Sequence, residues 1–302
     1  MFQYPMYPYI DREVTGEILP TKGTINDRWK LFRGKKYIAF VRSDIGLKRK
    51  NNEDFYGIFT HPENRNLVLA TLADGMGGYE NGDKASNFAI TEIGKAFKQS
   101  SAKEINNTNN YQQYLDQKIK EINKNLKTGG TTLTGAVINE NDILTFNIGD
   151  SRTYGYKDKL TQLTDDDSYL WPLYKAGKIY KDDIRFISGN NIINEALDGL
   201  PYEIHPKYKI VKKEKYDMLL LTSDGIHDIL SDSYMEATIK DYISFPSSIV
   251  YKLVFDSLNH QEEIPDDALL RIENIMGTPF HETDPGKDNA TAILVLTKNI
   301  KR

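Results

Sequence analysis

Six stretches of the chain share one pattern, a short run of β-branched and aliphatic residues bounded by Gly, Asn or Asp: KYIAFVRSD, NLVLATLAD, TTLTGAVI, DILTFNIGDSRTYGY, YDMLLLTSDG and NATAILVLT. Each predicts a strand. Three other stretches run at the helical period. In DKASNFAITEIGKAFKQ the apolar positions are Ala85, Phe88, Ala89, Ile93 and Phe97; in YQQYLDQKIKEINKNL they are Tyr111, Leu115, Ile119, Ile122 and Leu126. FPSSIVYKLVFDSL is the third. All three predict helices with ordinary core faces. Strands come in groups, then helices in pairs, then strands again, an order that favours α+β layers over strict βαβ alternation. KTGGTT and PFHETDPGKDN read as loops. Residues 1–36, opening with Tyr4, Pro5, Tyr7, Pro8 and Tyr9, follow neither period. They read as an N-terminal extension, packed on the surface or disordered, ahead of a main domain over 37–302.

Composition narrows the class. Of 302 residues, 39% are apolar and 27% charged, as in a soluble globular protein, and a chain this long can bury a substantial core. Lys plus Arg (39) nearly balances Asp plus Glu (43), leaving a net charge of −4. That balance gives no reason to expect nucleic acid or an anionic membrane as partner. No apolar run approaches the length of a membrane span, and the first residues lack the basic start and apolar stretch of a secretory signal. Cysteine is absent, which excludes disulfides and thiolate metal sites. The cytoplasm is the default location.

The candidate chemistry lies in the aspartates. Asp74 ends LVLATLA, Asp150 follows ILTFNIG, Asp224 follows MLLLTS and Asp288 precedes NATAILVL; Glu53-Asp54 sits in RKNNEDFYG. Each is explained singly by a turn, a helix cap or a solvated face. Together, at the ends of buried strands from distant parts of the chain, they look like a site for a hard cation, for which carboxylate and carbonyl oxygens suit Mg²⁺ or Mn²⁺. The stretch LADGMGGYENGDKAS could instead cradle a phosphate. It fails the Walker pattern, since Lys84 follows Asp83 and precedes Ala85, and it fails the dinucleotide fingerprint at Glu80. Its glycines fit the metal reading: Gly75 has no side chain to block its carbonyl, and Gly77 and Gly78 permit tight turns. His227, alone beside Asp224, reads as structural.

RKNNED at 49–54, ADGMGG at 73–78, GGTT at 129–132, NIGDSR at 147–152, TSDGI at 222–226 and GKDNAT at 286–291 resemble, in order and spacing, the motifs of the metal-dependent type 2C (PPM-type) protein Ser/Thr phosphatases, with the bacterial branch most similar. The resemblance covers about residues 37–298. It implies a four-layer α-β-β-α sandwich, two antiparallel sheets flanked by pairs of helices, with a flap insertion at about 165–199. It implies that a water bridging two Mn²⁺ or Mg²⁺ ions hydrolyses phosphoserine and phosphothreonine in proteins. Asp74 is then the bridging ligand and, with Arg49, a catalytic residue. Asp224 and Asp288 complete the first ion, the Gly75 carbonyl helps hold the second, and Glu53 and Asp54 bind or orient the second ion and its waters. Asp150 with Asp224 matches a position for a weaker third ion, and Arg49 matches the arginine that pairs with substrate phosphate; otherwise Arg49 is a solvated basic turn between Lys48 and Lys50. The implied partners are phosphorylated proteins, targets of a Ser/Thr kinase, met by a cytoplasmic signalling enzyme acting as a monomer.

The chain departs from the family pattern in the flap. The usual DHS is DDS at 166–168, and Glu195 and Asp198 replace an arginine and a glycine. Trp171 and Tyr174 are either a contact for a protein substrate or flap core. Two alternatives to a protein phosphatase stay open at this point: an inactive homologue that serves as a binding module, and a phosphatase of a small metabolite.

Overall fold

The computed structural model describes residues 17–18, 26–33, 37–76, 81–261, 263–276 and 282–298. Two six-stranded antiparallel sheets form its centre. The first runs, in spatial order, β1 (Glu17–Ile18), β4 (Asp54–Thr60), β5 (Val68–Asp74), β6 (Leu133–Ile138), β7 (Asp142–Ile148) and β10 (Lys207–Lys212). The second runs β2 (Asn26–Arg33), β3 (Ile38–Asp44), β12 (Ala290–Leu296), β11 (Met218–Thr222), β8 (Arg152–Tyr156) and β9 (Leu160–Gln162).

The central strands are near-continuous apolar runs because both of their faces are covered. Ile58, Val68, Ala70 and Leu72 meet Val41, Leu219, Leu221 and Ile293 between the sheets. The alternate residues, such as Phe59, Leu69 and Val137, face outward onto α1 (Gly82–Gln99) and α3 (Thr108–Asn125), which a short α2 (Ala102–Asn106) links. On the opposite surface Tyr154, Leu220, Ala292 and Leu294 carry α6 (Asp232–Asp241) and α7 (Pro246–Asn259). The result is the four-layer α-β-β-α sandwich expected from the motifs. The flap, 165–199, contains α4 (Trp171–Lys175) and a 3-10 turn (Lys181–Phe186) around a small core of its own: Leu170, Trp171, Ile184 and Phe186, joined by Ile272 of α8 (Asp266–Met276). Trp171 is buried there, with Tyr174 packed on it at 4.9 Å between ring centroids, so this pair is flap core and not an exposed contact.

Three features differ from the sequence reading. Part of the segment set apart as an extension enters the sheets, β1 pairing with β4 and β2 with β3. NDRWKLFR and KYKIVK, the latter β10, are edge strands, and edges are kept charged to discourage pairing with other chains, which hides their period. DILTFNIGDSRTYGY is two strands in different sheets, with Gly149 at φ 98° in the crossover between them. The early tyrosines and prolines, Gly77, Gly78 and the start of PFHETDPGKDN lie outside the described residues.

Candidate active site

The antiparallel pairing of β4 with β5 sets Asp54 directly opposite Asp74 at one end of the first sheet. Like charges facing across a ladder repel, so this register needs compensation from elsewhere. In the second sheet β11 pairs with β12, Thr222 opposite Ala292, which brings Asp224, at the start of the one-turn helix α5 (Asp224–His227), and Asp288, just before β12, to a common end. Asp150 sits in the crossover from β7 to β8. The strand-end aspartates therefore converge as the sequence suggested.

Asp74 stands opposite Asp54 across the β4–β5 pair, and the charges of Asp54 and Asp224 both act on its carboxyl. Burial, followed by the charges of Asp54, Asp224, Asp288 and Asp150, pushes its carboxyl well above the usual carboxylate range. Asp224 is pushed up in the same way, by burial and then by Asp288 and Asp150. Asp54 is buried. Its Oδ2 accepts from Ser223 Oγ (2.8 Å) and Thr291 Oγ1 (2.6 Å), yet burial raises it to about 6. Asp54 Oδ1 and Asp224 Oδ1 are both buried with no donor among the described residues. Asp150 is raised to about 8 by burial and by Asp228 and Asp166.

The backbone around Asp74 is held by the GGTT segment. Thr132 Oγ1 accepts from Asp74 N (2.9 Å), and the Asp74 carbonyl accepts from Thr132 N and Thr131 Oγ1, both at 2.9 Å. Gly75 N donates to Glu53 O at 3.1 Å. A Cβ on Gly75 would stand 2.5 Å from Gly82 O and 2.8 Å from Glu53 O, so only glycine lets these three segments meet. Glu53 is partly buried, and burial raises its carboxyl against the pull of Arg49. Arg49 turns inward. Its Nη2 donates to Asp288 Oδ2 at 2.6 Å and its Nη1 lies 3.9 Å from Glu53 Oε2, while the side chain stays 33% exposed. Lys48 points away to Asp284 (2.6 Å). Arg49 is thus part of the cluster and not a solvated turn.

Sequence reasoning passed over two residues. Asn289 pins the loop that carries Arg49 and Glu53: its Nδ2 donates to Ile45 O and Asn51 O, and its Oδ1 accepts from Glu53 N. Asp228 lies four residues after Asp224, one turn along α5, and burial raises it to about 6. The i,i+4 spacing of DGIHD is the signal that could have found it. His227 is structural as read. It is buried, its Nδ1 is 2.8 Å from Thr222 Oγ1, and burial with Arg152 and Lys181 nearby holds it well below the ordinary imidazole range, hence neutral. Of the flap departures, Glu195 accepts from His205 N and Asp198 from Leu200 N, local bonds that hold the flap's own exit, whereas Asp167 bonds Gly149 beside Asp150.

Every donor in the cluster is oxygen, the charge is unbalanced, and two buried carboxylate oxygens await a partner. That donor set fits hard divalent cations. Among the described residues no three acidic or histidine groups are closed into a metal cage. The raised carboxyls register burial first and, for Asp74 and Asp224, the neighbouring carboxylates after it.

A β-sandwich with an all-oxygen acidic cluster at the end of its sheets defines a divalent-cation enzyme. The profile of the family Protein phosphatase 2C matches residues 48–260. Serine/threonine phosphatase stp of Listeria monocytogenes serotype 4b (strain F2365) is 33% identical over 213 residues, 67% of this chain and 82% of that protein. Protein phosphatase PhpP of Streptococcus pneumoniae serotype 2 (strain D39 / NCTC 7466) is 33% identical over 198 residues, 63% and 79% of the two chains. Among solved structures, serine/threonine phosphatase Stp1 from Staphylococcus aureus aligns with a TM-score of 0.65 at 27% identity, over 85% of this chain and 94% of that one. The catalytic domain of the phosphatase PstP, solved with two manganese ions, aligns with a TM-score of 0.62 at 25% identity, over 86% and 98%. The chain belongs to the protein phosphatase 2C family.

Proposed function

We propose that this chain hydrolyses phosphoserine and phosphothreonine in proteins, with Asp74 as the carboxylate shared by two Mn²⁺ or Mg²⁺ ions. The observation that carries the reading is the pair of buried oxygens on Asp54 and Asp224 that have no hydrogen-bond partner among the described residues, beside Asp74, on whose carboxyl the charges of both residues act. Asp224 and Asp288 complete one ion; the Gly75 carbonyl, Glu53 and Asp54 serve the other. Asp150 and Asp224 hold a weaker third, with Asp228 as their neighbour. Bound there, the ions supply Lewis acidity and a water that loses its proton near neutral pH.

The chain's own groups do the rest. Arg49, tethered to Asp288 and one third exposed, has N–H donors left to orient the substrate phosphate. Met76 follows the Asp-Gly pair and has no proton to give a departing alkoxide, so leaving-group protonation falls to the Asp150 side of the site. Residues 37–302 form the catalytic domain, 165–199 its flap, and the residues before 37 an N-terminal segment that contributes edge strands. The reading extends to a monomer that acts in cytoplasmic signalling opposite a Ser/Thr kinase; among the described residues no helix is long and apolar enough to cross a membrane.

Phosphate release from phosphothreonine peptides tests the reading. Release is expected with Mn²⁺ or Mg²⁺, to stop on chelation and to resume when the ion is restored. No turnover at saturating Mn²⁺ would leave a binding module, and faster release from sugar or nucleotide phosphates than from phosphopeptides would leave a metabolite phosphatase.

A further inference from the structure

The segment that carries Asp150 belongs to neither sheet. It is the β7–β8 crossover, and one residue grips it through both backbone groups of Gly149. Gly149 N donates to Asp167 Oδ2 (3.0 Å), and the Gly149 carbonyl accepts from Asp167 N (2.9 Å). Asn147 Nδ2 adds a second bond to that carbonyl (2.9 Å). Asp167 is buried, and its counter-charge comes from the neighbouring strand: Lys207 Nζ of β10 stands 2.5 Å from Asp167 Oδ1 and also donates to Asp166 O (2.9 Å). The pairing of β10 with β7 sets Lys207 opposite Asn147, so the strand register itself delivers the lysine to the crossover. The flap returns to the same residue, where Asn194 N donates to Asp167 O (2.7 Å).

On the far side of Asp150, Ser151 Oγ lies 2.8 Å from Thr132 Oγ1, the hydroxyl that accepts from Asp74 N. Asp150 is therefore suspended between two clamps. The Thr132 clamp is shared with Asp74. The Asp167 clamp serves the crossover and the two ends of the flap. It occupies the middle position of the DDS triplet, where this chain departs from the family's usual DHS, and the lysine that neutralises it is a residue of this chain's β10.

We infer that Asp167, charge-balanced by Lys207, is the positioning residue for Asp150. The inference rests on the reading of Asp150 as a working member of the site. Removing the Asp167 carboxylate leaves the buried Gly149 N–H without its acceptor and frees the crossover on one side, so Asp150 loses its place while Asp74 keeps its own clamp.

The test uses the full chain and five variants: Asp150→Asn, Asp167→Ala, Asp167→Asn, Lys207→Met and the double variant Asp150→Asn/Asp167→Ala. Two readouts are taken, kcat on a phosphoserine peptide relative to kcat on p-nitrophenyl phosphate, and the Mn²⁺ binding isotherm by calorimetry. Asp150→Asn is expected to lower the peptide rate more than the p-nitrophenyl rate and to abolish the weakest Mn²⁺ binding event. Asp167→Ala is expected to do the same in smaller degree, about tenfold in each readout, the size of an outer-shell loss at a metal site. Asp167→Asn keeps an acceptor for Gly149 and is expected to restore most of the difference, whereas Lys207→Met leaves the buried Asp167 without its counter-charge and is expected to show part of the loss in both readouts. The double variant Asp150→Asn/Asp167→Ala is expected to match Asp150→Asn alone, because the two act through one group. A lower Tm with an unchanged rate ratio and isotherm in Asp167→Ala, while Asp150→Asn shifts both, would overturn the inference and leave Asp167 a structural residue. An unchanged ratio in Asp150→Asn itself would overturn the reading of Asp150 beneath it. If Asp167→Ala does not fold, Lys207→Met carries the test, with some loss in both readouts expected and none overturning.

Discussion

Two groups of buried carboxylates lie close together in this protein and are balanced in opposite ways. Beneath the flap, three carboxylates each have a cation from the chain. Asp166 receives three bonds from Arg152 at 2.7–3.2 Å, Asp183 two from Arg271 at 2.9 and 3.0 Å, and Asp232 pairs with Lys181. At the site, Asp54, Asp74, Asp150 and Asp224 face one another, and within the cluster Arg49 bonds only Asp288 and lies near Glu53. Burial raises the carboxyl of Asp166 too, with Arg152 pulling against the rise; for Asp74 all four of the neighbouring charges push the same way as burial. A carboxylate buried with its counter-charge is a brace. A set buried without one is stable only when the missing charge arrives from solution, and that difference separates the structural half of the acidic residues from the working half.

The sharpest way to break the comparison is to neutralise one member of each group. Asp74→Asn removes the charge shared by the proposed ions, and turnover of p-nitrophenyl phosphate is expected to fall by about three orders of magnitude or more, ~4 kcal/mol in the barrier, with the far-UV circular dichroism unchanged. Activity within a few-fold of the parent at saturating Mn²⁺ would remove Asp74 from the role. Arg152→Met does the converse. It leaves Asp166 buried with Gln162 as its remaining close donor, at 2.7 Å, and costs about 3–5 kcal/mol of stability, the range for breaking a buried pair. Urea unfolding should report the same loss with and without Mn²⁺. A loss that Mn²⁺ repairs would show the two groups to be one.

The working half was the more legible from sequence. Strands covered on both faces read as unbroken apolar runs, so the aspartates at their ends stood out, and Asp74, Asp150, Asp224 and Asp288 were found by position alone. The residues that hold them were not. Thr132 and Asn289 act through bonds to backbone groups of segments far away in sequence, and nothing in GGTT or KDNAT names those targets. Asp228 becomes a neighbour of Asp150 only once DGIH winds into a single turn. Asp167 looked like a gap in a motif until β10 supplied Lys207, and β10 itself was hidden by its lysines. Charged edge strands and side-chain-to-backbone bonds leave little periodic trace, which is why the acidic cluster was visible and the bonds that hold it were not.

Protons and cations compete for the unbalanced group, and this gives a smaller effect with a defined sign. Asp54 and Asp228 are raised to about 6 and Asp150 to about 8. The metal-free fold therefore holds protons that the unfolded chain, with carboxyls near ~4, has already released. The contribution of these carboxylates to the stability of the metal-free protein is expected to fall as pH rises from about 4 towards about 8, while His227, held neutral in the fold, contributes with the opposite sign below ~6.5. Added Mn²⁺ binds the ionised carboxylates, so the stabilisation it produces should grow with pH across the same window, reaching about 2.7 kcal/mol at a hundredfold excess over Kd, and Tm should rise with it. Thermal unfolding at several pH values, with Mn²⁺ and with chelator, measures it. An increment independent of pH would mean that these carboxylates do not take the ion.

Arg49 stands on the boundary between the two groups, the one guanidinium described within the unbalanced cluster, and its loss should have the smallest effect. It is bonded to Asp288 but a third exposed, so it offers charge to a visitor as well as to the chain. A guanidinium–phosphate pair forms with substrate and transition state alike, and such uniform binding lowers KM without raising kcat. Arg49→Ala is therefore expected to raise KM for a phosphothreonine peptide by about tenfold, ~1.4 kcal/mol, with kcat changed by much less. Arg49→Lys should recover only part of the loss, because an ammonium cannot meet Asp288 and a phosphate with separate forks of one plane. Freed of its arginine, Asp288 joins the carboxylates without a counter-charge, so Mn²⁺ affinity should hold or rise in Arg49→Ala. If KM stays fixed while kcat collapses, or if Mn²⁺ affinity falls with the arginine, Arg49 is a brace for Asp288 like Arg152 for Asp166, and the boundary between the two groups moves to include it.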